Sequence, residues 1–190
     1  MNHFLLVGLG NPGEQYAATR HNLGIRLLRA WFNQAKDEAN DIKDWHTANH
    51  LHASLAQITL EDTRVSCLFP LTFMNDSGLA VRAYVKKRLS RLWQALPLEH
   101  ILIMHDELEL PLGAVKLKKA GSARGHNGVK SIQHSLGTQD IPRLLLGIGP
   151  VRGEKRDFVL STFSPTEEEM IKQVTPQIMA EIKTFLNASF

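Results

Sequence analysis

Thiol chemistry is almost absent from this sequence, which has a single cysteine among its 190 residues. Cys67 lies in the apolar run 65–69, so we expect a buried thiol in a reducing compartment. Because no other cysteine is available, the candidates for a metal site are His46, His50 and His52, and no well-spaced further ligand accompanies them. We predict no metal site and interpret these histidines as surface or strand residues.

Long hydrophobic runs are also lacking, and none approaches the roughly 20 residues that a membrane-spanning helix needs. Met1-Asn2-His3 leads directly into a predicted strand, so we expect no signal peptide, no membrane contact and a cytoplasmic location. A transit peptide that had been removed would make the mitochondrial matrix the alternative. Repeats and domain linkers are missing too, and we predict one domain, 1–190.

Acidic residues are missing between Glu109 and Asp140, although the whole chain has a net charge of only +3. This acid-free interval combines glycines with Lys116, Lys118, Lys119, Arg124 and Lys130. Glycine-rich loops let main-chain N–H groups approach an anion, so the interval is our candidate for contact with a phosphate backbone. A second basic run falls late in a predicted helix and is explained by a solvated helix face: Arg82, Lys86, Lys87, Arg88 and Arg91.

Apolar periodicity gives the order of elements. Short apolar runs predict strands at 4–7, 53–60, 65–69, 101–104, 114–117 and 144–148. Helical spacing predicts helices that begin near Asn22, Leu79, Asn127 and Pro165. The last begins with the capping box Ser164-Pro165-Thr166-Glu167, and Pro176 should kink or break it. We interpret residues 36–44 as a surface connection. The order predicts an α/β fold, a single domain with a mixed twisted β-sheet and helices on both faces.

The loop after the first strand contains Gly8, Gly10 and Gly13 in the pattern G-x-G-x-x-G, which is weak evidence for a dinucleotide site when it stands alone. Its context is poor, since Pro12 interrupts the loop and the helical period starts only near Asn22. A nucleotide-binding oxidoreductase would depend on this match alone.

His21 follows the same loop, at the start of the first helix. An imidazole can exchange a proton near neutral pH, and Asn11 and Asn22 offer amides that donate and accept hydrogen bonds without ionising. Ligands of α/β proteins bind at such strand exits. From this segment alone, a helix cap and a catalytic residue are equally good interpretations of His21.

A carboxylate follows the buried strand 101–104 in His105-Asp106-Glu107. Asp106 can pair with His21, fix its tautomer and favour its protonated form. Glu107 and Glu109 are rival carboxylates, and His105 is a rival base. No G-x-S-x-G motif offers a serine nucleophile instead.

Other strand exits supply Asn75 and Asn127. Phe73 and Met74 precede Asn75 and are either core residues or an apolar platform for a ligand. Asn75 itself is either a helix cap or a binding amide, and Asn127 begins a helix.

Four ordered motifs resemble those of the bacterial-type peptidyl-tRNA hydrolases: G-L-G-N-P-G-E-Q-Y-A-A-T-R-H-N-x-G, T-F-M-N-x-S-G, H-D-E-L-x-L-P-x-G and G-H-N-G-V-K-S. The likeness covers residues 4 to about 160. It implies a monomeric α/β esterase that hydrolyses the bond between a peptide and the terminal ribose of tRNA. Neither a metal nor a cofactor is implied, and peptidyl-tRNA is the only partner implied.

The resemblance also implies residue roles. His21 is the general base that activates water, and Asp106 supports it. Asn11 distinguishes N-blocked peptidyl-tRNA from free aminoacyl-tRNA. Tyr16, Phe73, Asn75 and Asn127 lie at the substrate-binding positions of the family. To this predicted substrate and tRNA surface we add Met74 from the apolar platform and Lys116, Lys118 and Arg124 from the acid-free interval. The alternative, a catalytically silent RNA-binding module on the same fold, is opposed by intact His21, Asp106 and three asparagines.

Two positions depart from the family pattern. Arg124 lies in a loop where the family usually has paired glycines, and it either adds a phosphate contact or restricts the loop. Leu145 occupies the place of a second basic residue two positions after Arg143, so Lys118 lacks that cation as a partner for a shared phosphate.

Overall fold

The computed structural model describes residues 2–92 and 96–187. Its β-strands are β1 Asn2–Gly8, β2 Asp41–Ala48, β3 Ala53–Leu60, β4 Thr63–Pro70, β5 Ile101–Pro111, β6 Val115–Lys118 and β7 Arg143–Gly149. They form one sheet in the order β2-β3-β4-β1-β5-β7-β6. The β1–β4, β1–β5 and β5–β7 pairs are parallel and the other three are antiparallel, which confirms a mixed sheet.

The α-helices are α1 Leu23–Ala35, α2 Ser77–Leu92, α3 Asn127–Leu136, α4 Lys155–Leu160 and α5 Pro165–Asn187. Successive side chains of a strand point to opposite faces, and β1 is buried on both. Leu6 shares a core with residues of α1, α4 and α5, whereas Val7 shares one with residues of α2 and α3. The prediction of helices on both faces is therefore confirmed.

Close packing of α1 against the sheet depends on two glycines. A Cβ atom at Gly24 would lie 2.3 Å from the carbonyl oxygen of Met104, and one at Gly8 would lie 2.7 Å from the Cα atom of Ile25. A larger residue at either position would push α1 away from β1 and β5. This approach brings the start of α1 next to the middle of β5.

The interpretation of residues 36–44 as a surface connection was wrong in part. A 3₁₀ turn, Lys36–Glu38, is followed by β2, an edge strand whose side chains are mostly exposed. Because neither face of β2 is continuously apolar, hydrophobic alternation does not reveal it. The predicted positions of His46, His50 and His52 are confirmed, since all three are exposed in β2 or in the turns after it.

Two boundary predictions are also corrected. The strand predicted at 101–104 continues to Pro111, so Asp106 lies within β5 and not after its end. Pro176 does not break α5, which runs through it, because Ile171 and Ile178 anchor the helix on both sides. The capping box is confirmed, with the Ser164 N–H donating to Glu167 Oε2 at 2.8 Å and the Glu167 N–H donating to Ser164 Oγ at 3.3 Å.

Within residues 2–92 and 96–187, every helix is too short or too polar to cross a bilayer. The prediction of a helix after Asn75 is confirmed by α2. Of its basic run, Arg82 and Lys86 are exposed, and the side chains of Lys87, Arg88 and Arg91 lie outside the described residues.

Candidate active site

Functional side chains converge where β1 and β4 end. The loop after β1 leads into a short 3₁₀ turn, Arg20–Asn22, that carries His21 into α1. The loop after β4 carries residues 71–76. The middle of β5 and the start of α3 complete the site, so two loops and two regular elements supply it.

His21 and Asp106 form a direct pair. Their Nδ1 and Oδ1 atoms are 2.9 Å apart, and the two side chains are 12% and 1% exposed. A carboxylate only accepts, so Nδ1 carries the shared proton. This leaves His21 Nε2 without a partner in the part of the chain that the structure describes. The ring is therefore held by Asp106 and does not cap α1.

His126 is a third member of this cluster, and the sequence analysis did not select it. Its Nε2 atom lies 2.9 Å from the same Oδ1 atom of Asp106, and its Nδ1 atom accepts from the Val129 N–H at 3.3 Å. The first contact places a ring proton on Nε2, facing Asp106. The sequence feature that could have identified it is its place in the motif G-H-N-G, directly before Asn127.

The ligating atoms of His21, Asp106 and His126 all lie within 4.8 Å of one another, a spacing that one metal ion could span. However, both contacts to Asp106 have hydrogen-bond length, and each is accounted for by an imidazole N–H that points at the carboxylate. The two rings thus stabilise one buried negative charge.

The pairing of His21 with Asp106 shifts the pKa values of both side chains. Burial lowers the pKa of His21, but the charge of Asp106 and its hydrogen bond outweigh burial and raise the pKa above 6.5. Burial would raise the pKa of Asp106, yet the two imidazoles hold it far below its usual range. Asp106 is therefore ionised at neutral pH, and its charge stabilises the protonated form of His21.

The rival residues are placed elsewhere. His105 is fully buried, donates through Nδ1 to the main-chain oxygen of Asp106 at 2.7 Å, and has a pKa lowered to about 3 by burial and by His126. Glu107 accepts from the Glu109 N–H at 3.2 Å. Glu109 pairs with Arg124. None of these three contacts is with His21.

The side chain of Asn11 is oriented by its neighbours. Its Oδ1 atom accepts from the Met74 N–H at 2.9 Å, which identifies the oxygen because a main-chain N–H can only donate. The Asn22 carboxamide binds the Asn11 main chain twice, accepting from its N–H at 2.8 Å and donating to its carbonyl oxygen at 2.9 Å. Asn11 therefore presents its Nδ2 donor, which has no partner among the residues described.

The two residues of the predicted apolar platform lie in different places, Phe73 on the surface and Met74 in the core. Phe73 is 58% exposed, and its ring meets that of Tyr16 edge to face at 6.4 Å. Met74 is buried in the core, so its part in the site is the N–H that orients Asn11. Asn75 is exposed and donates to Asp76 at 3.1 Å.

Asn127 is the first residue of α3, directly after His126, and its side chain is exposed. The site thus brings Asn11 and Asn127 toward the pair of His21 and Asp106.

The predicted basic residues lie to one side, on β6 and the loop after it. Lys116 is exposed and Lys118 is partly exposed. Slight desolvation, followed by the charges of Arg143, Arg124 and Lys116, lowers the pKa of Lys118. This mutual repulsion marks a local positive potential.

Arg124 restricts its loop. It adopts a left-handed backbone with φ of 47°, and its Nη1 atom donates to Glu109 Oε2 at 2.6 Å. Arg143 is buried beneath the loop and donates to the carbonyl oxygens of Gly121 and Ser122 at 2.7 and 2.8 Å. Leu145 is buried as well. The loop is therefore fixed from both sides.

Comparisons with known proteins agree on one family. The family model described as peptidyl-tRNA hydrolase matches residues 5–190. The peptidyl-tRNA hydrolase of Solidesulfovibrio magneticus is 40% identical over 192 residues, covering 95% of this chain and 86% of that protein. That of Porphyromonas gingivalis is 35% identical, covering 96% and 92%.

Solved structures agree as well. The crystal structure of peptidyl-tRNA hydrolase from Acinetobacter baumannii matches with a TM-score of 0.83 and 31% identity, covering 97% of this chain and 89% of that one. A complex of peptidyl-tRNA hydrolase with N-propanol matches with a TM-score of 0.85 and 30% identity over the same shares.

Proposed function

Because this chain belongs to the peptidyl-tRNA hydrolase family, we propose that it hydrolyses the ester between a peptide and the terminal ribose of tRNA, with His21 as general base. The observation that carries the proposal is the 2.9 Å contact between His21 Nδ1 and Asp106 Oδ1. It fixes the ring proton on Nδ1 and leaves the Nε2 lone pair available to water.

The reaction needs no covalent enzyme intermediate. His21 Nε2 takes a proton from water as the water oxygen attacks the ester carbonyl, which gives a tetrahedral oxyanion. Collapse of this intermediate breaks the bond to the ribose oxygen, and His21 returns the proton to that oxygen. The products are the free peptide acid and tRNA. Asp106 stabilises the imidazolium that forms between the two proton transfers.

Asn11 supports selection of the blocked substrate. Its Nδ2 donor can bind the carbonyl oxygen of a peptide, whereas a free aminoacyl group offers a cationic amine that also donates. The exposed Phe73 and the partly exposed Tyr16 offer apolar surface beside it. Selection therefore depends on a donor whose orientation the Met74 N–H fixes.

The direct test of the function is release of N-acetylated amino acid from tRNA, with free aminoacyl-tRNA as the control substrate. We expect rapid release from the first and slow release from the second. Binding of tRNA without release would favour a silent RNA-binding module. Thermal stabilisation by dinucleotides, which we do not expect, would favour the oxidoreductase suggested by the glycine pattern.

Substitution of Asn11 should change selectivity. In Asn11→Ala the preference for the blocked substrate is expected to narrow roughly threefold to tenfold, the effect of one lost hydrogen bond. Asn11→Asp is the sharper variant, because it keeps the acceptor for the Met74 N–H but replaces the donor by an anion. It should weaken hydrolysis of the blocked substrate and improve that of the free amine. The measurement is kcat/KM for both substrates, and a constant ratio in both variants would assign discrimination to Asn75 or Asn127.

The tRNA contact should be visible in salt dependence. The affinity for tRNA should fall as salt rises. If Lys118 neutralises a phosphate, the plot of log affinity against log salt should be less steep in Lys118→Ala, by roughly 0.7–0.9 in slope. A short substrate that carries only the terminal nucleotide should be little affected. Arg124 is paired with Glu109 and would have to break that ion pair to bind a phosphate. Arg124→Ala should therefore change the slope less than Lys118→Ala does. Arg82→Ala on α2 is the control.

An unchanged slope in a Lys118→Ala, Arg124→Ala double variant would contradict the placement of tRNA over β6. The exposed Arg82 and Lys86 would then be the next candidates.

Three further properties belong to the proposal. The family resemblance supports one hydrolase-like domain over residues 1–190, a monomer without an obligate protein partner, and a cytoplasmic location. Light scattering on the purified protein tests the second, with a single species of about 21.3 kDa expected.

A further inference from the structure

The main chain that leads into His21 is bound to a distant segment between α4 and α5. The Arg20 N–H donates to the Ser161 carbonyl oxygen at 2.9 Å. One residue earlier, Thr19 forms an isolated antiparallel bridge with Thr162. The 3₁₀ turn that carries the imidazole is therefore attached to the C-terminal part of the chain before α1 begins.

The side chain of Arg20 fixes the same junction more strongly. Its guanidinium packs against two aromatic rings, with Cζ 4.6 Å from the ring centroids of both Phe158 and Phe163. Nη2 lies 3.0 and 2.8 Å from the two carboxylate oxygens of Glu167, and Nε donates to Ser161 Oγ at 3.1 Å. Arg20 is only 6% exposed, so these contacts define its position closely.

Glu167 is itself fixed by the start of α5. Its Oε2 atom accepts from the Ser164 N–H at 2.8 Å as part of the capping box. Hydrogen bonding from Arg20 is the main reason that the pKa of Glu167 is lowered to about 2, so the pair is ionised at neutral pH. One carboxylate thus joins the N-terminus of α5 to the residue that precedes His21.

We propose that Arg20 and Glu167 are positioning residues for the catalytic base: they hold the turn 20–22 so that His21 Nδ1 meets Asp106. This inference rests on the proposed role of His21. The Glu167 side chain is 28% exposed, and a partly exposed ion pair adds little stability because solvent screens it. The guanidinium is suited instead to fixing a conformation, because its Nη2 atom binds Glu167 while its Nε atom binds Ser161. A displacement of about 1 Å at a reacting group can cost roughly 10²-fold in rate.

The test compares two glutamates of the same helix. Glu167→Gln weakens the pair with Arg20, and Glu168→Gln weakens the pair between Arg26 Nη2 and Glu168 Oε2, which is 2.7 Å long and also joins α1 to α5. We expect kcat of Glu167→Gln to fall roughly 10- to 100-fold with little change in KM. Glu168→Gln should keep the wild-type rate. Arg20→Lys, which keeps the charge but loses the planar fork, should behave like Glu167→Gln.

The pH profile separates positioning from loss of stability. If the turn moves, His21 loses the contact with Asp106 that raises its pKa, so the acid limb of kcat should move to lower pH in Glu167→Gln and Arg20→Lys. The melting temperature is measured for every variant. Equal losses of kcat in Glu167→Gln and Glu168→Gln, or a loss with an unmoved acid limb, would overturn the inference. A wild-type protein that released no N-acetylated amino acid would instead overturn the proposed function itself.

Discussion

A folded His21→Ala protein is expected to hydrolyse N-acetyl-aminoacyl-tRNA roughly 10²–10⁴-fold more slowly than the wild type. The expected loss is large because Nε2 of His21, which the pair with Asp106 leaves available, is the proton acceptor in the proposed mechanism. Binding of tRNA should persist, since the basic residues on β6 are untouched. Single-turnover kinetics and tRNA binding, measured on the same preparation, separate the two effects.

A matched control is available in His134, an exposed histidine on α3. His134→Ala should keep both turnover and binding. Near-normal turnover by folded His21→Ala would show that another group activates water, and His126 would be the first to examine because it shares the carboxylate oxygen.

Asp106→Asn is expected to lower kcat by roughly 10²-fold or more and to move the acid limb of its pH profile. In the wild type, the neutral base forms as pH rises through the pKa of His21, which lies above 6.5. Without the carboxylate charge, burial remains and lowers that pKa, so the acid limb should appear at lower pH. The rate above the limb should still be lower, because the base is weaker and the imidazolium is less stabilised.

The tautomer adds to this loss. An asparagine at 106 can turn its NH₂ group toward either imidazole, which would force the acceptor nitrogen of His21 to face the amide. The control is Glu107→Gln, which alters the neighbouring buried carboxylate without touching His21. An unchanged profile in Asp106→Asn together with a shifted profile in Glu107→Gln would transfer the supporting role to Glu107.

The sequence was sufficient for the parts of the fold and site that apolar periodicity and strand exits determine. The buried runs of β1, β4 and β7 are continuous and apolar, so they were predicted. Asp106 was paired with His21 because it follows a buried strand, and the family resemblance favoured it over Glu107 and Glu109. That reasoning succeeded although β5 continues beyond Asp106, since its pairing with β7 prolongs the strand through polar residues.

The parts that were missed depend on contacts between residues far apart in the chain. β2 is stabilised by pairing at an edge and not by an apolar face of its own. His126 became part of the site only once α3 was placed beside β5. Arg20 reads as an ordinary basic residue before His21, and only the packing of Phe158 and Phe163 reveals its burial. Apolar periodicity and strand exits indicate none of these three contacts.

The position of Asp106 within β5 has a consequence for local unfolding. A strand inside a sheet opens at a free energy close to that of global unfolding, whereas a short turn outside the sheet can open at a lower one. Asp106 is paired through β5 with β7, while its partner histidine lies on a three-residue turn. The carboxylate therefore stays in place while the turn fluctuates, and a lost contact with His21 is restored by movement of the turn. The pair of His21 and Asp106 can therefore re-form when the turn 20–22 returns to its position, without refolding of the sheet.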